Sequence, residues 1–212
     1  MSDRFKRPIT CLITNGDAVP DTFTRQRLHI AATVRRAVGE GVSIVQIREK
    51  LLTTRQLFEL TVDAVRTADG SGTVILVNER ADVAIAAGAG GVHLRSDSFG
   101  PAVLRPHVPE SFVIGASAHT QDEVMRVRDG GADYVLFGPV FDSPGKRRAV
   151  GLDALRKVCA AVQPFPVLAL GGIERSNADL AIDSGAAGVA AIRFFNTDDG
   201  LDYAASMRNL HE

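Results

Sequence analysis

Short runs of β-branched and apolar residues alternate with longer amphipathic stretches from one end of the chain to the other. Short apolar runs are typical of buried strands, and stretches with a period near 3.6 residues are typical of surface helices. Alternation of this kind predicts a parallel sheet with crossover helices. The predicted strands are Ile9–Ile13, Ser43–Ile47, Thr73–Val77, Gly91–Leu94, Phe112–Ala116, Ala132–Phe137, Pro166–Ala169 and Gly188–Ile192. The predicted helices span 25–38, 54–68, 80–87, 101–106, 121–129, 151–162, 175–184 and 199–209.

The same short helix-to-strand connection precedes three of these strands, which indicates a chain built from repeated similar units. Residues 88–92, 131–135 and 185–189 each read as a glycine that ends a helix, a tight turn and a buried strand. An open doubly wound sheet would use the same connections, but eight strands without a second domain favour closure. With 45% hydrophobic residues the chain can fill a large core. We therefore predict an α/β fold, a single (β/α)₈ TIM barrel domain over residues 1–212.

Charge and cysteine content argue against several classes of protein. The formal net charge is -1 and the basic residues are scattered, so neither nucleic acid nor a membrane is expected as a partner. Cys11 and Cys159 lie in apolar segments, far apart in sequence, which predicts buried free thiols. The first residues hold too short an apolar run for a signal peptide, and we expect a cytoplasmic protein.

In a (β/α)₈ barrel, binding and reacting residues lie at the C-terminal ends of the strands. Strand alternation places Gln46, Arg48 and Lys50 on one side of the barrel mouth after the second strand. Arg48 can hold a phosphate as a two-pronged donor and Lys50 as a point charge. The plain alternative is a surface ion pair of either residue with Glu49.

A glycine pair follows the seventh strand. Gly171 and Gly172 would present backbone N–H groups beside a helix start, which favours phosphate binding, although a plain turn would explain them too. Arg193, next to Ile192 after the eighth strand, can close the same site or cap a neighbouring carboxylate.

The sixth strand leads into a glycine-rich basic loop, residues 138–148, that is long enough to cover a bound anion. We interpret it as a lid with Lys146 reaching inward. A solvated basic loop is the alternative.

His119 is the one histidine that directly follows a strand where a helix begins. It can exchange a proton near neutral pH with a substrate at the mouth, or it can serve only as part of a helix cap. His93 lies within the fourth predicted strand, where a hydrogen-bonded core histidine is the expected role. Glu79 and Asp97 are carboxylates at adjacent strand ends, so any Mg²⁺ would take its protein oxygens from them. They could equally form structural ion pairs.

Six motifs occur here in an order that resembles the thiamin phosphate synthase/TenI superfamily. They are Gln46-Ile47-Arg48-Glu49-Lys50, Val77-Asn78-Glu79-Arg80, Gly91-Val92-His93-Leu94, Ser117-Ala118-His119-Thr120, Gly138-Pro139-Val140-Phe141 and Gly171-Gly172-Ile173. The resemblance spans about residues 9–195 and is specific at the superfamily level. It implies a thiamin-biosynthesis enzyme acting on a thiazole phosphate, and it adds Asn78 and Ser117 to the substrate-binding candidates.

Four positions depart from what the resemblance implies for the synthase. Glu79 stands where an Asp is usual, and Ser98 stands at the second Asp, with Asp97 displaced by one position. Residues 143–146 retain only one hydroxyl of a Thr-x-Thr-Lys lid, and Arg193 replaces a serine. Loss of metal ligands matters because a departing pyrophosphate needs its charge neutralised, whereas a proton shift does not.

Three hypotheses follow from the resemblance. The first, which the four departures favour, is a TenI-like thiazole tautomerase, an isomerase that needs no cofactor, in which Gly172, Ile192 and Arg193 hold the phosphate and His119 removes and returns the proton. Arg48 and Lys50 would then bind the substrate carboxylate or remain only as positive charge at the mouth.

The second hypothesis is a divergent thiamin phosphate synthase, a transferase that joins hydroxymethylpyrimidine pyrophosphate to thiazole phosphate with Mg²⁺ on Glu79 and Asp97. The third is a non-catalytic protein that binds a thiamin precursor and regulates a partner. In each, the ligand is a small phosphorylated thiazole or related precursor. The resemblance also leaves a homodimer open beside a monomer.

Overall fold

Eight parallel strands close into a barrel in the computed structural model, which describes residue 5 and residues 7–142 and 148–209. Each strand pairs in parallel with the next one along the chain, and the last pairs with the first. The predicted (β/α)₈ barrel is confirmed, and closure leaves no exposed sheet edge. The strands are β1 (Ile9–Ile13), β2 (Ile44–Ile47), β3 (Val74–Asn78), β4 (Gly91–Leu94), β5 (Val113–Ala118), β6 (Tyr134–Phe137), β7 (Val167–Leu170) and β8 (Gly188–Ala191).

A helix follows every strand and packs on the outside of the barrel. The predicted spans 54–68, 121–129 and 151–162 are confirmed at both ends, and the second helix starts with a capping box of Thr53 and Gln56. The predicted helix over 101–106 is wrong beyond residue 104, because Pro106 lacks an N–H and the chain continues as a 3₁₀ turn. The helices are α1 (Phe23–Gly39), α2 (Thr54–Ala68), α3 (Ala81–Ala86), α4 (Pro101–Leu104), α5 (Gln121–Asp129), α6 (Gly151–Val162), α7 (Ala178–Asp183) and α8 (Asp198–Asn209).

Several strands begin later than predicted because side-chain hydrogen bonds form the first contacts between neighbouring strands. The Ser43 hydroxyl accepts the Thr10 N–H at 3.2 Å, and the Thr10 hydroxyl accepts the Ser43 N–H at 3.1 Å. Strand β2 therefore begins at Ile44. Thr73 donates its hydroxyl hydrogen to the Val42 carbonyl at 2.7 Å, and β3 begins one residue later. The later bounds of β5 place Ser117 inside the strand rather than after it.

The apolar side chains form two layers. One lies between the strands and the helices, and the other fills the barrel with inward-facing residues such as Ile9, Cys11 and Leu168. Cys11 and Cys159 are buried free thiols, as predicted, and burial raises the pKa of Cys159 to about 11. Within the described ranges, none of the helices combines the length and the apolar character that crossing a membrane requires.

Candidate active site

The C-terminal ends of the strands meet at one end of the barrel, which we call the mouth. Parallel pairing in chain order brings residues that are distant in sequence into one ring there. Two halves of the ring differ in chemistry. The glycine half consists of His119, Gly138, Gly171, Gly172, Ile192 and Arg193, and the cationic half consists of Gln46, Arg48, Lys50, Asn78, Glu79 and Arg95.

A cavity of about 670 Å³ opens at the glycine half, and its walls are mainly apolar. A cavity of this size and character accommodates a small organic ligand with a few polar groups. Five residues that the sequence nominated contribute to its lining: His119, Gly171, Gly172, Ile192 and Arg193.

The glycine pair needs glycine for both its conformation and its space. Gly171 and Gly172 adopt left-handed backbone, with φ of 98° and 63°. A Cβ atom on Gly171 would come within 2.5 Å of Pro139 Cβ, and one on Gly172 within 2.6 Å of the Asp142 carbonyl oxygen. The chain therefore presents bare backbone at this part of the cavity.

The prediction that Gly172 adjoins a helix start near residue 175 is wrong, since α7 begins at Ala178. The intervening turn is held by Asn177, whose amide nitrogen donates to the Gly172 carbonyl at 2.9 Å. The Asn177 amide oxygen accepts the Glu174 N–H at 2.9 Å. Asparagine favours such local bonds over helix, which explains the late start of α7.

Ile192 and Arg193 follow β8, which ends one residue earlier than predicted, and they lead into a 3₁₀ turn. Asn196 ties this turn to the end of β1, because its amide nitrogen donates to the carbonyls of Ile13 at 2.8 Å and Ile192 at 2.6 Å. Arg193 is exposed at the cavity rim, where an anion arriving from solvent would meet its guanidinium.

His119 directly follows β5 and lines the cavity, with its side chain half-buried. Its Nδ1 lies 2.5 Å from the Gly138 carbonyl oxygen, which can only accept, so Nδ1 carries the proton. In the neutral ring, Nε2 then carries the lone pair, and it lies 3.3 Å from the Ser96 hydroxyl. Glu123 accepts the backbone N–H of His119 at 2.6 Å. The ring is thus held in the tautomer that acts as a base at Nε2.

Gln46 links two strands of the cationic half and leaves one atom without a partner. The side chain is 1% exposed, and its Nε2 donates to Asn78 Oδ1 at 3.0 Å. Gln46 Oε1 has no hydrogen-bond partner among the residues that the structure describes. A buried amide oxygen without a donor costs about 1–3 kcal/mol, so a ligand that supplies the donor would be favoured there.

Arg48 and Lys50 lie beyond the end of β2, so strand alternation does not fix their directions as the sequence suggested. Lys50 is exposed and Arg48 is half-buried. Burial lowers the pKa of Arg48, the charge of Glu49 raises it, and the positive charge of Arg95 lowers it. Arg48 and Arg95 therefore share one electrostatic neighbourhood.

Glu49 has a structural role. It is 3% exposed, and its two carboxylate oxygens accept the backbone N–H groups of Gly16 at 3.1 Å and Ala18 at 2.9 Å. These bonds fix the loop after β1 at the mouth. The ion pair of Glu49 with Arg48 or Lys50 stays a prediction, and the charge of Glu49 does act on Arg48.

Glu79 and Asp97 both contact Arg95, which directly follows β4. Glu79 Oε1 accepts the Arg95 backbone N–H at 3.0 Å, and its Oε2 lies 3.7 Å from the Arg95 guanidinium. Asp97 accepts a hydrogen bond from the same guanidinium at 2.5 Å. Glu79 adopts a left-handed backbone, φ 65°, and its N–H donates to the His93 carbonyl at 2.9 Å. The two carboxylates converge on one cation, and that cation is an arginine.

This arrangement does not fit a magnesium ion. Mg²⁺ is usually held by one or two carboxylates together with phosphate oxygens and water, and Glu79 and Asp97 would be that pair. The Arg95 guanidinium already lies against both carboxylates, so a metal ion could bind there only by displacing it from them. Across residues 7–142 and 148–209, no group of three or more His, Cys, Asp or Glu side chains could hold a metal ion.

His93 connects the mouth to the barrel interior. Its Nδ1 lies 3.1 Å from the Tyr134 hydroxyl and its Nε2 lies 2.8 Å from the Ser117 hydroxyl. Burial lowers the pKa of His93 to about 3 and raises that of Tyr134. The predicted core histidine is confirmed. Gly115 makes room for this network, because a Cβ there would lie 2.3 Å from the Tyr134 ring.

The predicted lid lies partly outside the described residues, and Lys146 is in that part. Its described beginning contributes to the cavity through Gly138 and Pro139.

Arg95 and Asn177 were not nominated from the sequence. Arg95 follows a predicted strand, so the strand-end rule could have found it. No pattern in the sequence indicates the hydrogen bonds that Asn177 makes to the glycine turn.

The fold and the mouth together define a (β/α)₈ barrel whose strand ends form a small-molecule site. The model of one family, described as thiamine monophosphate synthase, matches residues 12–195. The thiamine-phosphate synthase of Chlorobium luteolum is 35% identical over 201 residues, 93% of this chain and 90% of that protein. The one from Methanoculleus marisnigri is 39% identical over 175 residues, 81% and 82% of the two chains.

A solved structure, a thiamine phosphate pyrophosphorylase from Pyrococcus furiosus, superposes with a TM-score of 0.80 at 28% identity and covers 95% of this chain and 94% of that one. The chain belongs to the thiamine monophosphate synthase family. It is therefore an enzyme of thiamin biosynthesis, and the resemblance drawn from its motifs is confirmed.

Proposed function

We propose that the protein is a thiamine-phosphate synthase that joins hydroxymethylpyrimidine pyrophosphate to thiazole phosphate. The relatives named above support the synthase over the tautomerase that the sequence favoured. They also support an enzyme over the non-catalytic alternative. The reaction forms a bond from the thiazole ring nitrogen to the pyrimidine methylene carbon as the bond from that carbon to pyrophosphate breaks.

The observation that supports this proposal is a buried hydrogen-bond acceptor without a donor in the cationic half. Gln46 Oε1 is buried without a donor, and Asn78 holds the other end of the amide. An aminopyrimidine carries an exocyclic amine that can donate to Gln46 Oε1 and ring nitrogens that can accept from a hydroxyl such as that of Ser117. A thiazole carboxylate phosphate has no comparable N–H donor. Arg48 and Arg95 would bind the pyrophosphate beside the pyrimidine.

The glycine half suits the second substrate. Bare backbone at Gly171 and Gly172, with Arg193 at the rim, favours the phosphate of a small thiazole, and the apolar cavity wall favours its ring. The two substrates would then meet between the halves, held in a geometry that replaces a bimolecular encounter. Apolar walls exclude water, which would otherwise compete for the reactive carbon.

The family resemblance implies Mg²⁺, but Glu79 and Asp97 do not fit it while Arg95 contacts both. We therefore assign no step to a metal ion. Charge on the departing pyrophosphate is neutralised in this proposal by the guanidinium groups of the cationic half.

The test is release of pyrophosphate and formation of thiamine phosphate from the two substrates, followed with Mg²⁺ and with EDTA. Gln46→Leu removes the acceptor at nearly constant volume and should raise KM for the pyrimidine substrate at least 10-fold. Gln163→Leu, at an exposed glutamine after α6, is the control and should match the wild type. Absence of product under both conditions would refute the synthase.

The tautomerase is a second candidate because His119 has the tautomer of a base and lines the cavity with the glycine pair. In it, Nε2 would take a proton from the dihydrothiazole ring and return it at another atom. The measurement is aromatisation of the thiazole carboxylate phosphate by wild type and His119→Ala. Equal rates in the two proteins would exclude His119 as the base.

A further inference from the structure

We infer that Arg95 is the built-in cation of the cationic half: its guanidinium takes the place between Glu79 and Asp97 that a divalent metal ion would need, and it binds the substrate pyrophosphate directly. This inference rests on the proposed synthase activity for the identity of the anion. One arginine, which was not among the candidates from the sequence, would then determine whether pyrophosphate binding depends on a metal ion.

The first line of support is the number of contacts that residue 95 makes. Its backbone N–H and its guanidinium engage the two oxygens of Glu79, at 3.0 and 3.7 Å, and the guanidinium also donates to Asp97 at 2.5 Å. Both carboxylates that could serve a metal ion are therefore directed at one side chain. A guanidinium carries five N–H donors, more than these contacts use, so donors remain for phosphate oxygens.

The backbone of the neighbouring strand supports the same arrangement. Asn78 pairs with His93 in the β3–β4 register, and Glu79 follows in left-handed backbone with its N–H on the His93 carbonyl. Left-handed backbone is unfavourable for a residue with a side chain and persists where the surroundings require it. Here it directs the carboxylate to the backbone and side chain of Arg95.

The third line of support is the electrostatic effect of Arg95 on a second guanidinium. Arg48 is half-buried, and the charge of Arg95 contributes to a lowered pKa of Arg48, behind the larger effect of burial and the opposing effect of Glu49. Two like charges in one neighbourhood repel each other until an anion lies between them. A pyrophosphate offers several oxygens to both groups and can accept bidentate hydrogen bonds.

The surface ion pairs of Arg95 do not prevent this role. Its side chain is 46% exposed and that of Asp97 is 66% exposed, and pairs this exposed are weak. The guanidinium can therefore exchange a carboxylate oxygen for a phosphate oxygen when the substrate arrives. An arginine held in a buried pair could not do so at low cost.

The experiment compares wild type, Arg95→Ala and Arg80→Ala. Arg80 is the matched control because it pairs with Asp82 two residues away, as Arg95 pairs with Asp97. Inorganic pyrophosphate is titrated calorimetrically with Mg²⁺ and with EDTA, and Mn²⁺ binding is followed by the electron paramagnetic resonance signal of the free ion.

We expect the wild type to bind pyrophosphate with similar affinity, within about threefold, in both conditions. Arg95→Ala should lose at least about 10-fold in EDTA, recover with Mg²⁺, and bind Mn²⁺ at least about 10-fold more tightly than the wild type. Arg80→Ala should match the wild type. Adding Glu79→Gln to Arg95→Ala should abolish the gain in Mn²⁺ affinity.

Two results would overturn the inference: wild-type pyrophosphate binding that requires Mg²⁺, or Mn²⁺ binding that is no tighter in Arg95→Ala. Turnover separates this outcome from failure of the proposed function. Pyrophosphate release that occurs only with Mg²⁺ would refute the role of Arg95 and leave the synthase intact. Metal-independent pyrophosphate binding without turnover of the two substrates would refute the synthase and leave Arg95 as an anion-binding residue.

Discussion

The two halves of the mouth differ in what forms their surface. The glycine half relies on backbone: Gly171 and Gly172 adopt positive φ, and neighbouring chain fills the space where a side chain would stand. The cationic half relies on side chains, with the charges of Arg48 and Arg95 beside the buried amide of Gln46. One half fixes shape, and the other fixes charge and hydrogen bonding.

This difference predicts which half tolerates substitution without loss of the fold. A backbone cradle admits no substituent, because any Cβ would meet main-chain or ring atoms. A cluster of exposed charges can be rearranged, since its ion pairs contribute little to stability.

The largest expected effect comes from breaking the glycine half. Gly172→Ala places a Cβ against the Asp142 carbonyl, and it should lower kcat/KM for thiazole phosphate about 100-fold by displacing the cradle. Gly70→Ala is the control, with a φ of 72° and no atom within 4 Å of the added Cβ. Both variants share a cost of about 1–2 kcal/mol for alanine in left-handed backbone, so only the clash differs. Equal activities of the two variants would show that the cradle does not bind the phosphate.

A smaller effect, on the pH dependence of stability, is expected at His93 below both halves. Its pKa is about 3 in the folded protein and about 6.5 when unfolded, so between these values the unfolded state binds more protons. The free energy of unfolding should therefore fall by about 2 kcal/mol from His93 alone as the pH drops from about 6 to about 4.5.

Urea unfolding at the two pH values measures this contribution as the difference between wild type and His93→Gln. The control is Gln163→Leu, at an exposed residue without a titratable group, which should keep the wild-type pH dependence. If His93→Gln also kept it, His93 would not be the group that titrates.

The smallest expected effect tests whether the two halves bind different substrates. Arg48→Met keeps much of the side-chain volume and removes the charge, so KM for the pyrimidine pyrophosphate should rise about 10-fold. KM for thiazole phosphate should stay within about twofold of the wild type, because that phosphate is assigned to the glycine half. Arg66→Met, at an exposed position late in α2, is the control. Parallel increases in both KM values would mean that the halves do not bind separate substrates.

Much of the architecture could be predicted because its signals are local. The spans of α2, α5 and α6 follow from their amphipathic pattern and capping residues, and the predicted strands lie within a few residues of the observed ones. The candidate residues at the mouth followed from one rule of the fold, that strand ends converge. Bounds failed where a side chain replaced a ladder or helix bond, as at Ser43 and Asn177.

The sequence by itself determined a closed barrel, the set of polar residues that reach its mouth and the family to which they point, because hydrophobic periodicity and motif order are properties of the chain. The tertiary structure decided which of those residues share a site and in what state. Left-handed backbone at Glu79 and its contacts with Arg95, the orphan oxygen of Gln46 and the tautomer of His119 all depend on atoms from different strands. Such relations arise only when closure brings distant segments within a few ångströms of one another.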